Sequence, residues 1–585
     1  MSAARTQRAP TILGRLVGGF VRAGVAALAV VAACTRPPPA GPLPPLARAA
    51  YASYMSGKLA AYRGDWAAAA DRLAEAAAAA SDQPMIAVEL ARAQMKAQRA
   101  QAALATLAEA RRRWPDHPQV WLVSGDLLAA GDPAAAIRAY LRAIRLSPDD
   151  EHAYLGLAKL QPPAAAEATL RILVRHVPTS VDGRYALAVR LAVRGALADA
   201  AVELRGVLER DPDHIDARLD LARALRRQGH LDQAIAETRN AFDRSGQAID
   251  IAEELFWLLC EADDRVQAID LLTLLDDDHS DAEALAVIAR LDRGLGRLGE
   301  ARAVAERIAT LDREAGAIAL AQVQLAAGDR AAMQATLATI DTASKAAATA
   351  RQLIAAAALA AGDPAAALAA ITSAPRATGA TSRAPAPPGG ASATRSLDGA
   401  LLAAFALADL GRLTEARAML ADFGRGPDLA ERVAGMLARA RLAERTGDIA
   451  TAIALLDSLI RAKPDAVAAL NLAGYLLADT RQRLGDADRY LRRARDLAPG
   501  DPAILDSWGW LLLRRGQARA AVRALDRAAR FAPLEPEILV HLAAAWAADG
   551  APRTAAETLT RAAALAPTPA ILKRIAAIRQ TLSAR

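Results

Sequence analysis

Residues 499–533 read PGDPAILDSWGWLLLRRGQARAAVRALDRAARFAP, and residues 533–567 read PLEPEILVHLAAAWAADGAPRTAAETLTRAAALAP. The second stretch repeats the first. Pro499, Pro533 and Pro567 stand 34 residues apart, and each closes a helical run that opens after a glycine or a short polar turn. Ala521, Leu525 and Ala528 recur as Ala555, Leu559 and Ala562, while Leu505, Trp508, Gly509 and Leu512 recur as Leu539, Leu542, Ala543 and Trp546. Spacings of three and four put each set on one helical face, so every period holds two helices. A small residue where two helices cross lets them approach closely, and a leucine fills the adjacent hole.

Read toward the N-terminus, the ladder continues through Pro464, Pro212, Pro178, Pro148 and Pro115, with Ser81, Gly246 and Ser280 in the same place without proline. Turn glycines recur at Gly64, Gly131, Gly195, Gly229, Gly328, Gly362, Gly411, Gly447 and Gly516. A period of 34 with two helices per unit resembles the tetratricopeptide repeat. The resemblance implies an all-α right-handed solenoid of about fifteen units between Ala47 and Pro567. The unit ending at Pro178 is short by about four residues, with Pro162-Pro163 compressing its turn, and the unit ending at Pro499 carries an inserted residue around Thr480–Leu484. Residues 375–396 (PRATGATSRAPAPPGGASATRS) contain no Leu, Ile, Val or aromatic residue and cannot bury themselves. They are either a linker between an array at 47–374 and another at 397–567, or a loop inserted in one continuous array. Residues 568–585 form one more helix without a partner, expected to cap the open end.

Composition agrees. Of 585 residues 53% are hydrophobic but only 4% aromatic, and the excess is alanine and leucine, which favour helix over strand. The apolar content excludes disorder for most of the chain. The net charge of +7 does not make a nucleic-acid footprint. Arg5, Arg8, Arg15 and Arg22 lie in a stretch without acids, and +7 − 4 leaves +3 for the rest, where basic clusters are interleaved with acids.

Those four arginines precede the apolar run Ala23–Ala33, which is too short to span a bilayer and has the parts of a secretory signal over residues 1–33. Val31-Ala32-Ala33-Cys34 resembles the bacterial lipobox, which implies cleavage before Cys34 and acylation there; an ordinary signal peptide with a chance cysteine, giving a soluble periplasmic or secreted protein, is the alternative. Residues 34–46 then form a lipidated proline-rich tether, with six prolines between Thr35 and Ala47. In polyproline II geometry it extends about 3.1 Å per residue. Thr35 is not the aspartate that resembles an inner-membrane retention signal, so the expected site is the outer membrane, facing the periplasm.

Catalytic constellations are missing from the sequence: no two of the seven histidines have metal-ligand spacing, and no phosphate loop, zinc-protease motif or nucleophile elbow occurs. The expectation is therefore no enzyme, no cofactor and no metal. Gly294–Gly299 matches a dinucleotide fingerprint by letter but follows a helix, so it reads as an inter-helix turn. The acidic run Asp276–Asp281 lacks the spacing of a calcium loop and reads as a solvated helix junction. Cys260, in an apolar helical stretch, reads as a buried inert thiol.

The large side chains mark the candidate site. On the first helix of each pair a face at i, i+4, i+8, offset from the packing set, is expected to line a groove. It gives Asn471, Tyr475 and Asp479 in one unit, Asp506, Trp510 and Arg514 in the next, and Tyr54, Lys58 and Tyr62 at the N-terminal end; Trp121, Tyr185 and Trp257 fall on similar faces. Aromatics at groove positions suit extended or helical peptides. The block Asn471–Asp479 with Asp501–Trp510 resembles one found in bacterial outer-membrane tetratricopeptide lipoproteins, one type of which is an adaptor for a periplasmic carboxyl-terminal processing protease. The resemblance implies a non-enzymatic scaffold that binds periplasmic proteins or peptides and presents substrates to such a protease. The alternative is an accessory subunit of a polysaccharide-export, pilus or secretion assembly.

Overall fold

The computed structural model describes residues 48–372, 396–426, 428–565 and 567–583, so Cys34, the signal and most of 375–396 lie outside the described residues. Within them the chain forms 31 helices and no strand, from Arg48–Tyr62 to Pro569–Ser583. In sequence order these are fifteen consecutive pairs and a single last helix, the number and arrangement expected from the ladder.

The turn inside several of the pairs has a chemical signature. Gly447 adopts φ +77°, a left-handed conformation that side chains other than glycine resist, and no neighbour crowds it, so the backbone alone requires glycine there. Asp448 follows and accepts the Thr451 backbone N–H, capping the helix Ile449–Ala462. Asp65 and Asp132 cap the helices Trp66–Ala79 and Pro133–Leu146 in the same way.

Pairs close through small-on-large contacts. A Cβ placed on Gly509 would lie 2.5 Å from Leu525 Cγ, and one on Gly474 would lie 2.4 Å from Leu491 Cγ; both leucines are fully buried. Ala543 holds the corresponding place one unit on, in a cluster with Leu539, Leu542 and Leu559. The short unit is built on the ten-residue helix Glu151–Leu160, and the inserted residue falls in the turn Thr480–Arg483, where Arg481 and Arg483 both take positive φ.

The chain divides into two compact units at Gly229, the turn after the helix Ile215–Arg227. The first has a core of Ala153, Tyr154, Leu157, Leu170 and Leu173 with the helices around them. In the second, the helices Pro364–Thr372 and Leu397–Asp409 pack on each other through Ala367, Ile371, Ala403 and Ala406, so packing continues across the interruption. This unit also meets itself across a long sequence interval. Arg527 Nη1 donates to the Glu261 carbonyl at 3.0 Å, Arg530 pairs with Asp263 at 2.7 Å, and Gly500 abuts the Trp257 carbonyl. The final helix Pro569–Ser583 packs on Pro536–Ala548 and Pro552–Ala564, burying Ile575.

Gly294–Gly299 spans the turn of Leu295, Gly296 and Arg297 that joins the helices Ala282–Gly294 and Leu298–Leu311. The acidic junction is held by Arg307, which pairs with Asp276 and donates to the His279 carbonyl at 2.8 Å. Cys260 is fully buried, and burial pushes its thiol far above the usual range.

Candidate protein-binding site

The helices Val467–Asp479, Pro502–Arg514 and Pro536–Ala548 are the first helices of three successive pairs. Their i, i+4 stripes lie side by side, and five of the six C-terminal candidate residues meet in one group. Trp510 Nε1 donates to Asp479 Oδ1 at 3.1 Å, and Arg514 donates to the same oxygen at 2.7 Å while lying 4.4 Å over the Trp510 ring. Burial alone would raise the Asp479 carboxyl; the two donors outweigh it and hold the group below the ordinary range.

The other face of Trp510 stacks on His541, ring centroids 4.2 Å apart and planes 24° from parallel. His541 is fully buried, and its Nδ1 meets the Asp506 carboxylate at 2.9 and 3.0 Å. Asp506, expected on the groove face, therefore lies beneath Trp510 and is itself buried. On the far side Arg574, from the last helix, donates to the Tyr475 hydroxyl at 3.2 Å and to Glu537 at 2.9 Å. Burial, with the nearby Glu537 charge, pushes the Tyr475 phenol well above its usual range. Asn471 lies one turn before Tyr475, part-buried, its Oδ1 without a hydrogen-bond partner among the described residues.

Trp508 faces the other way. It is half-buried against the clusters on both sides of its helix and is clasped by Arg492 and Arg495, 5.2 and 4.9 Å from its ring.

The N-terminal candidates behave differently from one another. Tyr54 is partly buried against Ala69, Leu73 and Ile86. Lys58 pairs with Glu89 at 2.6 Å. Tyr62 is 90% exposed. Lys58 and Tyr62 line a groove of about 780 Å³ shared with Trp66, Met95, Leu127 and Asp126. It is apolar along its floor and charged at its rim, as a peptide site is. Of the other aromatics, Tyr185 donates to Asp220 at 3.0 Å and Trp121 to the Pro115 carbonyl at 2.7 Å, so each is tied to its own scaffold.

The sequence reading did not find His541, Glu537 and Arg574 in the C-terminal group, or Glu89 and Met95 in the groove. A signal existed: Asp479 to Arg514 is 35 residues, one repeat of the unit that carries the inserted residue, and Asp506 to His541 is 35, one 34-residue repeat plus one.

A tetratricopeptide-repeat profile matches residues 54–118, 88–151, 125–161, 437–502 and 507–569, and a second profile of the same repeat matches 193–239. A TPR repeat-containing protein of Pseudomonas aeruginosa is 44% identical over 85 residues, which is 14% of this chain and 14% of that protein. Among solved structures, YrrB, described as a TPR protein with an unusual peptide-binding site, is 17% identical over 32% of this chain and 98% of its own, with a TM-score of 0.27. A tetratricopeptide repeat protein from Parabacteroides merdae is 15% identical over 41% and 98%, with a TM-score of 0.30. PilW, a type IV pilus biogenesis factor, is 20% identical over 33% and 93%, with a TM-score of 0.28. The chain carries tetratricopeptide repeats, and they form an all-α solenoid.

Proposed function

We propose that this chain is a non-enzymatic scaffold that binds protein partners in the bacterial envelope, anchored at Cys34 in the outer membrane and facing the periplasm. The observation that carries the binding half is the groove at Lys58, Tyr62, Trp66, Met95 and Leu127, large enough for several side chains of a peptide and part of a repeat family built for such contacts. The C-terminal group adds a second surface, where the edge of Trp510 and the Tyr475 side chain are framed by fixed charges of both signs. The location rests on the sequence Val31-Ala32-Ala33-Cys34 and the proline-rich residues after it. Within this reading, the finer role is that of an adaptor delivering substrates to a periplasmic processing protease.

Two experiments test it. Replacing Cys34 by Ala should move the protein from membranes to the soluble periplasmic fraction after a high-salt wash; unchanged fractionation removes the lipid anchor. Crosslinking in cells followed by purification should return a periplasmic protease with its substrates. Recovery of a synthase or a secretin instead would replace the adaptor with a subunit of an export assembly.

A further inference from the structure

The first helix, Arg48–Tyr62, is the only end of the array that carries no cap among the described residues, since Pro569–Ser583 covers the other. One side of it is buried on the next helix through Ala50 and Gly57. The opposite side shows Tyr51 at 54% exposure, Met55 at 47% and Leu59 at 49%, continuing to Tyr62. On a helix these fall within a single 80° sector, so they form one apolar stripe and not scattered residues.

The charges on this helix are of one sign. Arg48 and Lys58 lie on it and Arg63 follows; there is no acid between 48 and 64. The nearest acids are engaged elsewhere: Asp65 caps the next helix by accepting the Ala68 N–H, Glu75 takes the Ser53 hydroxyl at 3.3 Å on the inner side, and Glu89 is paired with Lys58 in the groove. An apolar stripe rimmed by cations is the pattern of a helix that lies in the headgroup region of an anionic bilayer.

Three occupants compete for this face. A second copy meeting the stripe symmetrically would bring cation against cation, Arg48 facing Arg63 of the other copy or its own image. The chain's own residues 35–47 offer two leucines, Leu43 and Leu46, among six prolines, too little apolar surface to match four large side chains. An anionic lipid surface matches both the apolar stripe and the sign of its rim. Chain length agrees, for Cys34 precedes Arg48 by 14 residues, a reach of about 40 Å in extended polyproline geometry.

We infer that Tyr51, Met55, Leu59 and Tyr62, with Arg48 and Arg63, form a membrane-contact face that lays the N-terminal end of the array on an anionic bilayer. The inference rests on the envelope reading above, and its test is independent of acylation. The chain from residue 34 onward carrying Cys34→Ala, which keeps every described residue, is mixed with vesicles of phosphatidylethanolamine and phosphatidylglycerol, or with neutral phosphatidylcholine vesicles, and sedimented. Binding to the anionic vesicles at low salt, with at least tenfold less on the neutral ones, is expected. The double variant Met55→Glu/Leu59→Glu should lose at least tenfold of that binding while its helical circular dichroism stays unchanged, and Arg48→Gln/Arg63→Gln should lose binding in a salt-sensitive way. Two results overturn the inference: vesicle binding that survives Met55→Glu/Leu59→Glu, or no binding to the anionic vesicles, in which case a concentration-dependent dimer that the same variant abolishes would identify a second copy as the occupant. Because the protein tested has no lipid, failure here leaves the Cys34 fractionation result standing, and failure there leaves this one.

Discussion

Gly509 gives the sharpest test of how the repeat is built. A methyl group added there would lie 2.5 Å from Leu525 Cγ and 2.9 Å from its Cδ2, whereas carbons in contact sit at about 3.5–4.0 Å. Leu525 is fully buried, so it has no open space to move into. Two effects of opposite sign then compete in Gly509→Ala. Helix propensity favours alanine by about 1 kcal/mol in a helix interior. Overpacking costs about 1–3 kcal/mol. The net change should lie between zero and about 2 kcal/mol of destabilisation, and Gly509→Val, with more atoms in the same gap and a smaller propensity gain, should exceed about 3 kcal/mol. The control is Gly299, in the helix Leu298–Leu311, where nothing stands within 4 Å of an added Cβ. Gly299→Ala should stabilise by up to about 1 kcal/mol. Urea unfolding followed by helical circular dichroism gives the sign. Amide hydrogen exchange over 502–531 locates it, because a repeat array can open regionally. If Gly509→Ala stabilises as much as Gly299→Ala does, the close approach of the paired helices is not what selects glycine there.

Trp510→Ala should weaken binding of a crosslink-identified partner by about 2 kcal/mol, measured by titration calorimetry, as loss of an aromatic anchor does. Trp508→Ala should leave that binding intact and cost about 2 kcal/mol of stability in urea, less than a full core truncation because the ring is half-buried. Asp479 is held below its ordinary range in the folded state, so its pairing with Arg514 and Trp510 stabilises above about pH 4, the unfolded value, and is lost as pH falls through the lower folded one. Asp479→Asn should therefore flatten the acid limb of the stability curve. The tyrosines behave oppositely. Burial, with the Asp220 charge, pushes Tyr185 up to about 12, and Tyr140 and Tyr475 are raised further. A raised phenol contributes stability that is complete below about pH 10 and fades above it. In a spectrophotometric titration these three should stay protonated past pH 11 for as long as the helical signal holds.

Much of this architecture is written locally. Helix periodicity, the glycine–aspartate turn of Gly447-Asp448, and the small–large pair Gly509 and Leu525 each operate within one repeat, so each leaves a mark at fixed spacing in the sequence. The grouping of Tyr475, Asp479, Trp510 and Arg514 was legible for the same reason, since i, i+4 positions share a face. Their partners were not. His541 meets Asp506 at an offset of 35, one more than the 34 residues that separate Gly509 from Ala543, so a strict period passes His541 by. Asp506 shows the consequence: on its own helix it belongs to the stripe of Trp510, yet His541 from the next pair draws it beneath the ring.

The long-range contacts escape for a deeper reason. Arg527 reaches Glu261 across 266 residues, and Arg265 reaches the Arg530 carbonyl across 265. Which repeats come to face each other depends on the rotation between neighbouring pairs, summed over seven or so of them, and that rotation is set by fractions of an ångström in the packing of side chains such as Leu491 and Leu525. A small error per repeat grows with each step, whereas the helices themselves are insensitive to it. Three arginines nevertheless converge there from both sides, Arg265 and Arg527 on backbone carbonyls and Arg530 on Asp263. Backbone carbonyls accept from any sequence, so two of the three contacts impose no demand on the residue opposite, and no covarying charge pattern betrays them in a single chain. Asp263 is the exception, and it stands at positive φ in the turn that presents it. It holds the place in its turn that Gly447 holds in another, and Asp264 caps the following helix as Asp448 does, so the left-handed backbone is a demand of the repeat's own turn, and what reaches beyond the repeat is only the carboxylate that the position offers to Arg530.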